Sequence, residues 1–580
     1  MAARMRFSRY YQRLLLRCGL AIVLVTAIIC FSNWPPAVGA EPAPEQQVAP
    51  RSPQTPAETF VKEEHVISTV DTQEPVIEVD RTHKEKNSAG NAFETRWSKA
   101  LPRIETMFSD ELRIQGLPAP ITETGERLLR DLSHRTRAFR EAFEIWEDLH
   151  LDRTKDSVNQ REVVFSQLRE LTAASQSPAQ AIRTYDKLRH FVNLSAKGLF
   201  PWTMLSHPDH VSLHTSFYTG GRGLVFTAGN DQVKLLMTVI PSLRNLGCNL
   251  PVEVLYLGDE DIDEDMRDEL EELPGVVTRD LTLMIDDEGW HLKGWAAKAF
   301  AILMCSFREA IFIDADSFFF VDPATLFQYE GYRDTGALFF KDRNLFPESK
   351  RSWIKSVLPS PISANVRQNR MWTGESGHMQ DSGVIVVDKW RHFIPLLLAT
   401  RLNGPERDGN KGEGKKGVYD MMYGDKETFW LSWEMSGSSD YVFHDGVAGT
   451  MGKLTKTEPD ATEEVEQSET PASNTSNVHE LSMVCSQQLA HFDRAGRPLW
   501  FNGGISLSKD RLNERPDFDV YLREPEEVGR RRRTDSWKMH SGNVVCLRAE
   551  EVGDFTSQER STLEMILRVA KETFGKFEGG

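Results

Sequence analysis

Two acidic side chains close a strongly apolar run, Ile311-Phe312-Ile313-Asp314-Ala315-Asp316. Side chains alternate faces along a strand, so Asp314 and Asp316 share one face. Two carboxylates placed in that way can bind one hard divalent cation, and such a cation suits the diphosphate of a nucleotide. The bare Asp-x-Asp pattern recurs at Asp259/Asp261, Asp261/Asp263, Asp263/Asp265 and Asp517/Asp519. Those copies lie in solvated acidic or polar stretches. Only the pair at Asp314 follows a hydrophobic strand signal, and its competing reading is a strand ending in an acidic turn.

The elements that must position this pair are legible around it. Leu224-Val225-Phe226-Thr227 reads as a buried strand ending in Ala228-Gly229-Asn230, with Asp231 as the cap of a helix running to Leu246. Val252–Leu257 and Val276–Thr278 read as strands, separated by an acidic helix from about Asp263 to Leu273. A helix around Ala296–Cys305 leads into the strand at Ala310–Asp314. Strands alternating with helices predict an α/β domain whose mainly parallel sheet has helices on both faces. Ligands of such sheets bind beyond the strands' C-terminal ends, where Thr227-Ala228-Gly229 and Asp314/Asp316 both fall.

Further motifs follow in order: Trp295-Ala-Ala-Lys-Ala-Phe-Ala301, Gln380-Asp-Ser-Gly-Val384, Gly424-Asp-Lys-Glu-Thr-Phe429 and Gly449-Thr-Met-Gly452. With Gly223-Leu-Val-Phe-Thr-Ala-Gly229, Leu250-Pro-Val-Glu-Val254 and the Asp-x-Asp strand, they resemble nucleotide-sugar-dependent glycosyltransferases of the GT-A fold. More closely, the chain is similar to the fungal Golgi α-mannosyltransferases of glycosyltransferase family 71. The resemblance covers roughly residues 222 to 505.

That resemblance implies GDP-mannose as donor, a divalent cation (usually Mn2+), a mannose-containing glycan acceptor and a retained α-linkage, either α-1,2 or α-1,3. It implies that Asp314 and Asp316 bind the metal, with Asp314 also near the ribose. Backbone groups of Thr227, Ala228 and Gly229 would approach the nucleotide, since glycine permits close approach. Lys298 would meet a phosphate; otherwise it is a solvated helix residue. A retaining transfer needs a group near the anomeric carbon. Asp381 is the first candidate and Gln380 its neighbour, against the reading that Gln380–Gly383 is a turn leading into the strand Val384–Val387. Asp425 and Glu427 would contact acceptor hydroxyls or stabilise the transition state, with N-capping as the alternative for Asp425. The third metal ligand would be His491, upstream of Arg497-Pro-Leu-Trp500, which resembles the His…Lys-Pro-Trp element of glycogenin-like enzymes with Arg for Lys and an inserted Leu. His444 competes for that role. Trp290, Trp295, Trp372, Trp430 and Trp500 are candidates for stacking on sugars, although large aromatics are more often core.

Residues outside this region set the context. Arg4, Arg6, Arg9, Arg13 and Arg17 precede an apolar run, Cys18–Phe31. Basic residues favour the cytosolic side. The expected layout is a cytosolic tail (1–17), a signal-anchor helix (18–34), a flexible Pro/Glu/Thr-rich stem (35–98), a helical region (99–210) and a catalytic domain (211–580). Insertions are expected as exposed loops at 403–417, 455–479 and 524–535. A cleaved signal peptide ending at Val38-Gly39-Ala40 is the rival to the anchor. Sequons at Asn193 and Asn474 agree with a lumenal globule, expected in the Golgi as a single-pass type II protein, alone or in a mannosyltransferase complex. Four cysteines beyond the anchor (Cys248, Cys305, Cys485, Cys546) allow three disulfide connectivities, and their spacing does not fit a zinc site. A net charge of −17 argues against nucleic-acid binding, despite Arg530–Arg533. Two alternatives to mannosyl transfer are a UDP-sugar donor and a non-catalytic scaffold of a mannan polymerase complex.

Overall fold

The computed structural model describes residues 78–110, 114, 116–153, 158–160, 164–171, 177–456, 481–505, 517–525, 536–540 and 544–578. The expected anchor, most of the stem, the Asn474 sequon and Arg530–Arg533 lie outside these residues. No helix among the described residues is long and apolar enough to cross a membrane.

Seven strands build the central sheet: β1 (Arg222–Thr227), β2 (Val252–Tyr256), β3 (Val276–Asp280), β4 (Glu309–Ile313), β5 (Ala337–Lys341), β6 (Gln380–Asp388) and β7 (Val442–Phe443). Their order is β7-β5-β6-β4-β1-β2-β3. Pairings are parallel except those of β6, which runs antiparallel to both β4 and β5. The period of two along β4 sorts its side chains between two cores. Phe312 faces the helices Ala297–Met304, Phe393–Leu402 and Thr428–Ser436. Ile311 and Ile313 face the helix Asn230–Asn245, the C-terminal helix Ser557–Glu578 and the aromatic side of a second sheet. Burial on both faces explains why these strands read as near-continuous apolar runs.

The second sheet is antiparallel, in the order Val552–Asp554, Val520–Arg523, Ala448–Gly452, Leu489–Phe492, Pro498–Asn502, Phe318–Phe319. The chain leaves β4 at Ile313, turns through Asp314-Ala315-Asp316-Ser317, and joins this sheet at Phe318. Ser317 N–H donates to the Asp314 carbonyl at 3.0 Å. The acidic pair therefore occupies the junction between two sheets. A smaller four-stranded sheet carries the disulfide Cys485–Cys546, whose residues are directly paired across neighbouring strands. Cys248 and Cys305 are buried thiols.

The helical region packs against the helices that cover one face of the central sheet. Helix Gly125–His150 buries Leu128, Leu129, Leu132, Phe139 and Phe143 in the same core as Trp430 and Trp433. Ser133 Oγ and Arg137 donate to the Met435 carbonyl near the end of helix Thr428–Ser436, and Arg137 donates also to the Glu434 carbonyl, which Gly437 N–H shares.

Three expectations are revised. Gln380–Gly383 belongs to β6 and is not a turn before it, because Gln380 and Asp381 pair with Lys341 and Phe340 of β5. Buried partners for both polar side chains outweigh their weak strand preference. The helix beginning at Asn230 is capped by Gly229, with Gln232 Oε1 accepting from Gly229 N–H at 3.2 Å, while Asp231 sits in its first turn. The 403–417 loop is exposed over 408–416 but anchored at its base. Asn403 and Arg407 at its base are buried, bonded to Thr428 and to the His291 carbonyl.

Candidate active site

The C-terminal end of β4, the start of β6 and the Gly424–Glu427 turn bring two ion-paired clusters together. In the first, Lys298 reaches from the second position of helix Ala297–Met304 to Asp314, Nζ to Oδ2 at 2.8 Å. The same Nζ lies 3.2 Å from Ser382 Oγ and 3.5 Å from Asp425 Oδ2. Lys298 is thus a buried bridge between carboxylates and not a solvated helix residue. Burial alone would lower its affinity for a proton, but Asp314, Asp425 and Asp381 together raise it above the ordinary lysine range. Asp314 is pushed up to about 7 by burial, relieved by Lys298 and reinforced by the Asp316 carboxylate.

In the second cluster, Asp381 is fully buried on β6. Its Oδ2 lies 2.9 Å from His491 Nε2, and its Oδ1 lies 3.6 Å from Lys426 Nζ. Lys426 also donates to Asp342 at 2.6 Å. Burial opposes ionisation of Asp381, but Lys426 and His491 outweigh it and hold its carboxyl well below the usual carboxylate range. His491 itself is clamped against Trp500, ring centroids 4.0 Å apart and nearly parallel.

Backbone bonds fix the clusters to one another. Asp314 N–H donates to the Gly383 carbonyl at 2.8 Å, and Gly504 N–H donates to the Asp316 carbonyl at 2.9 Å. A Cβ on Gly383 would stand 2.7 Å from Asn502 Nδ2 and 3.2 Å from Trp500, so glycine is required where the two sheets meet.

Each sequence-derived candidate has a definite place. Asp425 does not cap with its side chain; its carbonyl accepts from Thr428 N–H at 2.9 Å, while its carboxylate turns towards Lys298. Asp425 Oδ2 and Gln380 Nε2 are buried polar atoms without a hydrogen-bond partner among the described residues. Gln380 Oε1 accepts from Trp430 N–H at 3.3 Å. Glu427 points into the protein interior. It is fully buried and accepts from the N–H groups of Met379 (2.8 Å) and Gln380 (3.4 Å) and from the Trp430 indole. It is a positioning residue for the start of β6, and burial pushes its carboxyl up to about 7. Thr227, Ala228 and Gly229 lie at the C-terminal end of β1, neighbour to β4, where Asn230 N–H donates to the Asp261 carbonyl at 2.7 Å. His444 accepts from Gly446 N–H at Nδ1 and packs on Phe340, and burial lowers it to about 4.

The donor set offers a divalent cation two hard oxygen ligands, Asp314 and Asp316. The Asp314 carboxyl, raised by burial and by the neighbouring Asp316 carboxylate, carries a charge that a cation would relieve. No group of three His, Cys, Asp or Glu side chains among the described residues is arranged to hold a metal. The Nε2 of His491, expected as third ligand, is taken up by Asp381.

Sequence reasoning passed over Lys426, Asp342 and Ser382. Asp342 carried the signal used for Asp314, an acid closing an apolar strand (Ala337-Leu-Phe-Phe-Lys-Asp342). Nothing local distinguishes Lys426 from a surface lysine.

Residues 221–493 match a family model described as "Mannosyltransferase putative". The matched segment contains every residue of both clusters. The chain is 27% identical over 338 residues to "Probable alpha-1,3-mannosyltransferase MNT4" of Saccharomyces cerevisiae, covering 51% of this chain and 52% of the relative. It is 24% identical over 333 residues to "Alpha-1,3-mannosyltransferase MNT2" of the same yeast, covering 51% and 54%. The chain therefore spans about half the length of the curated relatives it matches. Among solved structures it is similar to galactosyltransferase LgtC at a TM-score of 0.25 and 14% identity, over 38% of this chain and 73% of that one.

Proposed function

We propose that this chain transfers an α-mannosyl group from GDP-mannose to a mannose-bearing glycan, with retention and in α-1,3 linkage. One observation carries this reading. The Lys298–Asp314–Asp425 and His491–Asp381–Lys426 clusters meet at the C-terminal edge of a mainly parallel sheet, inside the segment that matches the mannosyltransferase family. The names of the relatives support the α-1,3 linkage, and the sheet and its site support a GT-A type of nucleotide-sugar transferase.

A divalent cation on Asp314 and Asp316 would neutralise charge on the departing GDP. Lys298 fixes Asp314 and brings a further positive charge to the same end. Asp381, kept ionised between His491 and Lys426, supplies a pre-oriented negative charge suited to an oxocarbenium-like centre. Glu427 holds the backbone of Met379 and Gln380 and so sets where Gln380 and Asp381 begin. The proposal extends to residence as a type II protein of the Golgi membrane. The basic N-terminus, the apolar run Cys18–Phe31 and the Cys485–Cys546 disulfide support an oxidising lumen for the globule.

The test is transfer by the purified protein from GDP-mannose to α-mannobiose with Mn2+, beside UDP-glucose and UDP-galactose, with the product linkage read by NMR. An α-1,3-mannoside is expected, as is loss of more than about 100-fold in Asp316→Ala. Transfer from UDP-sugars alone, or full activity in Asp316→Ala, would sink the reading.

A further inference from the structure

Three large aromatic side chains stand in solvent beside the clusters described above. Trp295 is 61% exposed, Tyr423 61% and Phe346 54%, in a protein whose other tryptophans near the site are wholly or partly buried. They form one continuous strip. The Trp295 ring lies over Gly424, which takes a positive φ of 61°, so that a Cβ there would touch the ring at 3.3 Å. Tyr423 is the next residue, its ring centroid 5.5 Å from that of His378, and His378 lies 5.9 Å from Phe346.

Three stretches of the strip adjoin cluster residues along the chain. Trp295 precedes Lys298 by three residues, Gly424 precedes Asp425 directly, and His378 precedes Gln380 by two. His378 Nδ1 is a buried nitrogen with no hydrogen-bond partner among the described residues. Phe346 is held outward at some cost. It adopts a left-handed backbone (φ 55°), unusual for a bulky residue, and its carbonyl accepts from Gly377 N–H at 2.8 Å. Backbone strain that keeps an apolar ring in water points to a use for that ring.

We infer that Trp295, Tyr423, His378 and Phe346 form the platform on which an acceptor oligosaccharide lies, an inference that rests on the glycosyl-transfer reading. The occupant is a neutral glycan chain. The C–H faces of successive pyranose rings match flat, amphipathic aromatic surfaces, and the unpartnered imidazole nitrogen suits a sugar hydroxyl. Continuity with Asp425 and Gln380 places one end of such a chain at the reacting centre.

The experiment compares acceptor KM for methyl α-mannoside, mannobiose and mannotetraose in wild type, Trp295→Ala, Tyr423→Ala and Phe346→Gly. Mannan retention in affinity electrophoresis without donor is measured alongside. The expected result is an acceptor KM raised about fivefold to tenfold per ring for the tetraose, little change for the monosaccharide, and weaker mannan retention. Phe346→Gly relieves the left-handed strain, so its melting temperature should stay level or rise while its acceptor KM increases, separating recognition from folding. Wild-type KM values and retention in all three variants would overturn the platform. So would loss of self-association in place of loss of glycan binding, seen by light scattering. If wild type transfers no mannose yet binds mannan through these rings, the transfer reading fails and the platform stands.

Discussion

Lys298 Nζ lies 2.8 Å from Asp314 Oδ2, so the carboxylate that the sequence offers to a metal is held by an ammonium group. A lysine that crosses from a covering helix to the strand end keeps the acidic junction from repelling itself apart. Under the proposed function, the same charge would face the donor diphosphate.

Removing that lysine should expose the conflict it resolves. Lys298→Met leaves Asp314 and Asp425 without their shared cation, and the expected cost is about 3 kcal/mol in urea unfolding without metal. Millimolar Mn2+ should raise the melting temperature of the variant more than that of wild type, since it replaces the missing charge. Equal shifts in the two proteins would show that Lys298 and the cation do not share Asp314.

The Asp381–His491 pair predicts strong coupling. His491→Ala alone should destabilise by about 3 kcal/mol, because it removes a partner from a buried charge. In the background of Asp381→Asn the same change should cost less, giving a coupling energy of about 1–3 kcal/mol in a double-mutant cycle. Asp381 is depressed in the folded state. Its stabilisation is therefore present above the ordinary aspartate range near 4 and lost as pH falls below it. Asp381→Asn should flatten the acid limb of the stability curve; an unaltered acid limb would contradict the pairing.

Asp314 and Glu427 act with the opposite sign. Both carboxyls are raised to about 7 in the folded protein, so the folded state holds protons that the unfolded chain has released above about 4. Stability without metal should therefore fall as pH rises from about 4 to about 7 and then level off. Asp314→Asn and Glu427→Gln should each remove part of that slope, and saturating Mn2+ should remove the Asp314 part. Thermal melts across pH in the three proteins check this, and a slope that survives both substitutions would refute it.

Reduction of Cys485–Cys546 opens a loop with a sequence separation of 61. The expected loss is about 4 kcal/mol by chain entropy, read as a lower urea midpoint in reductant. Cys248 and Cys305 should resist alkylation in the native protein, because both are buried.

Much of the sheet was legible because its signals are local. Apolar runs with flanking turns located β1, β2, β3 and β4 to within two residues, and an acid at the end of a buried strand pointed to Asp314. The start of β6 was not legible. Gln380 and Asp381 are poor strand formers, and their place in the ladder depends on Glu427, Trp430, His491 and Lys426, which lie 45 to 110 positions away in the chain. The five tryptophans offered for sugar stacking looked alike in sequence. Packing buried Trp430 and Trp500 entirely, packed Trp290 and Trp372 against the core and left Trp295 in solvent.

By itself, then, the sequence determined the alternation of strands and helices, the acidic pair at the end of β4 and the order of motifs that resembles mannosyltransferases. These depend on neighbouring residues and on periods of two and 3.6. Tertiary structure alone decided the pairing of charges: Lys298 with Asp314, Asp381 with His491 and Lys426, Glu427 with the backbone of β6. A buried charge takes whatever partner the fold brings within about 3 Å, and sequence distance does not enter that selection.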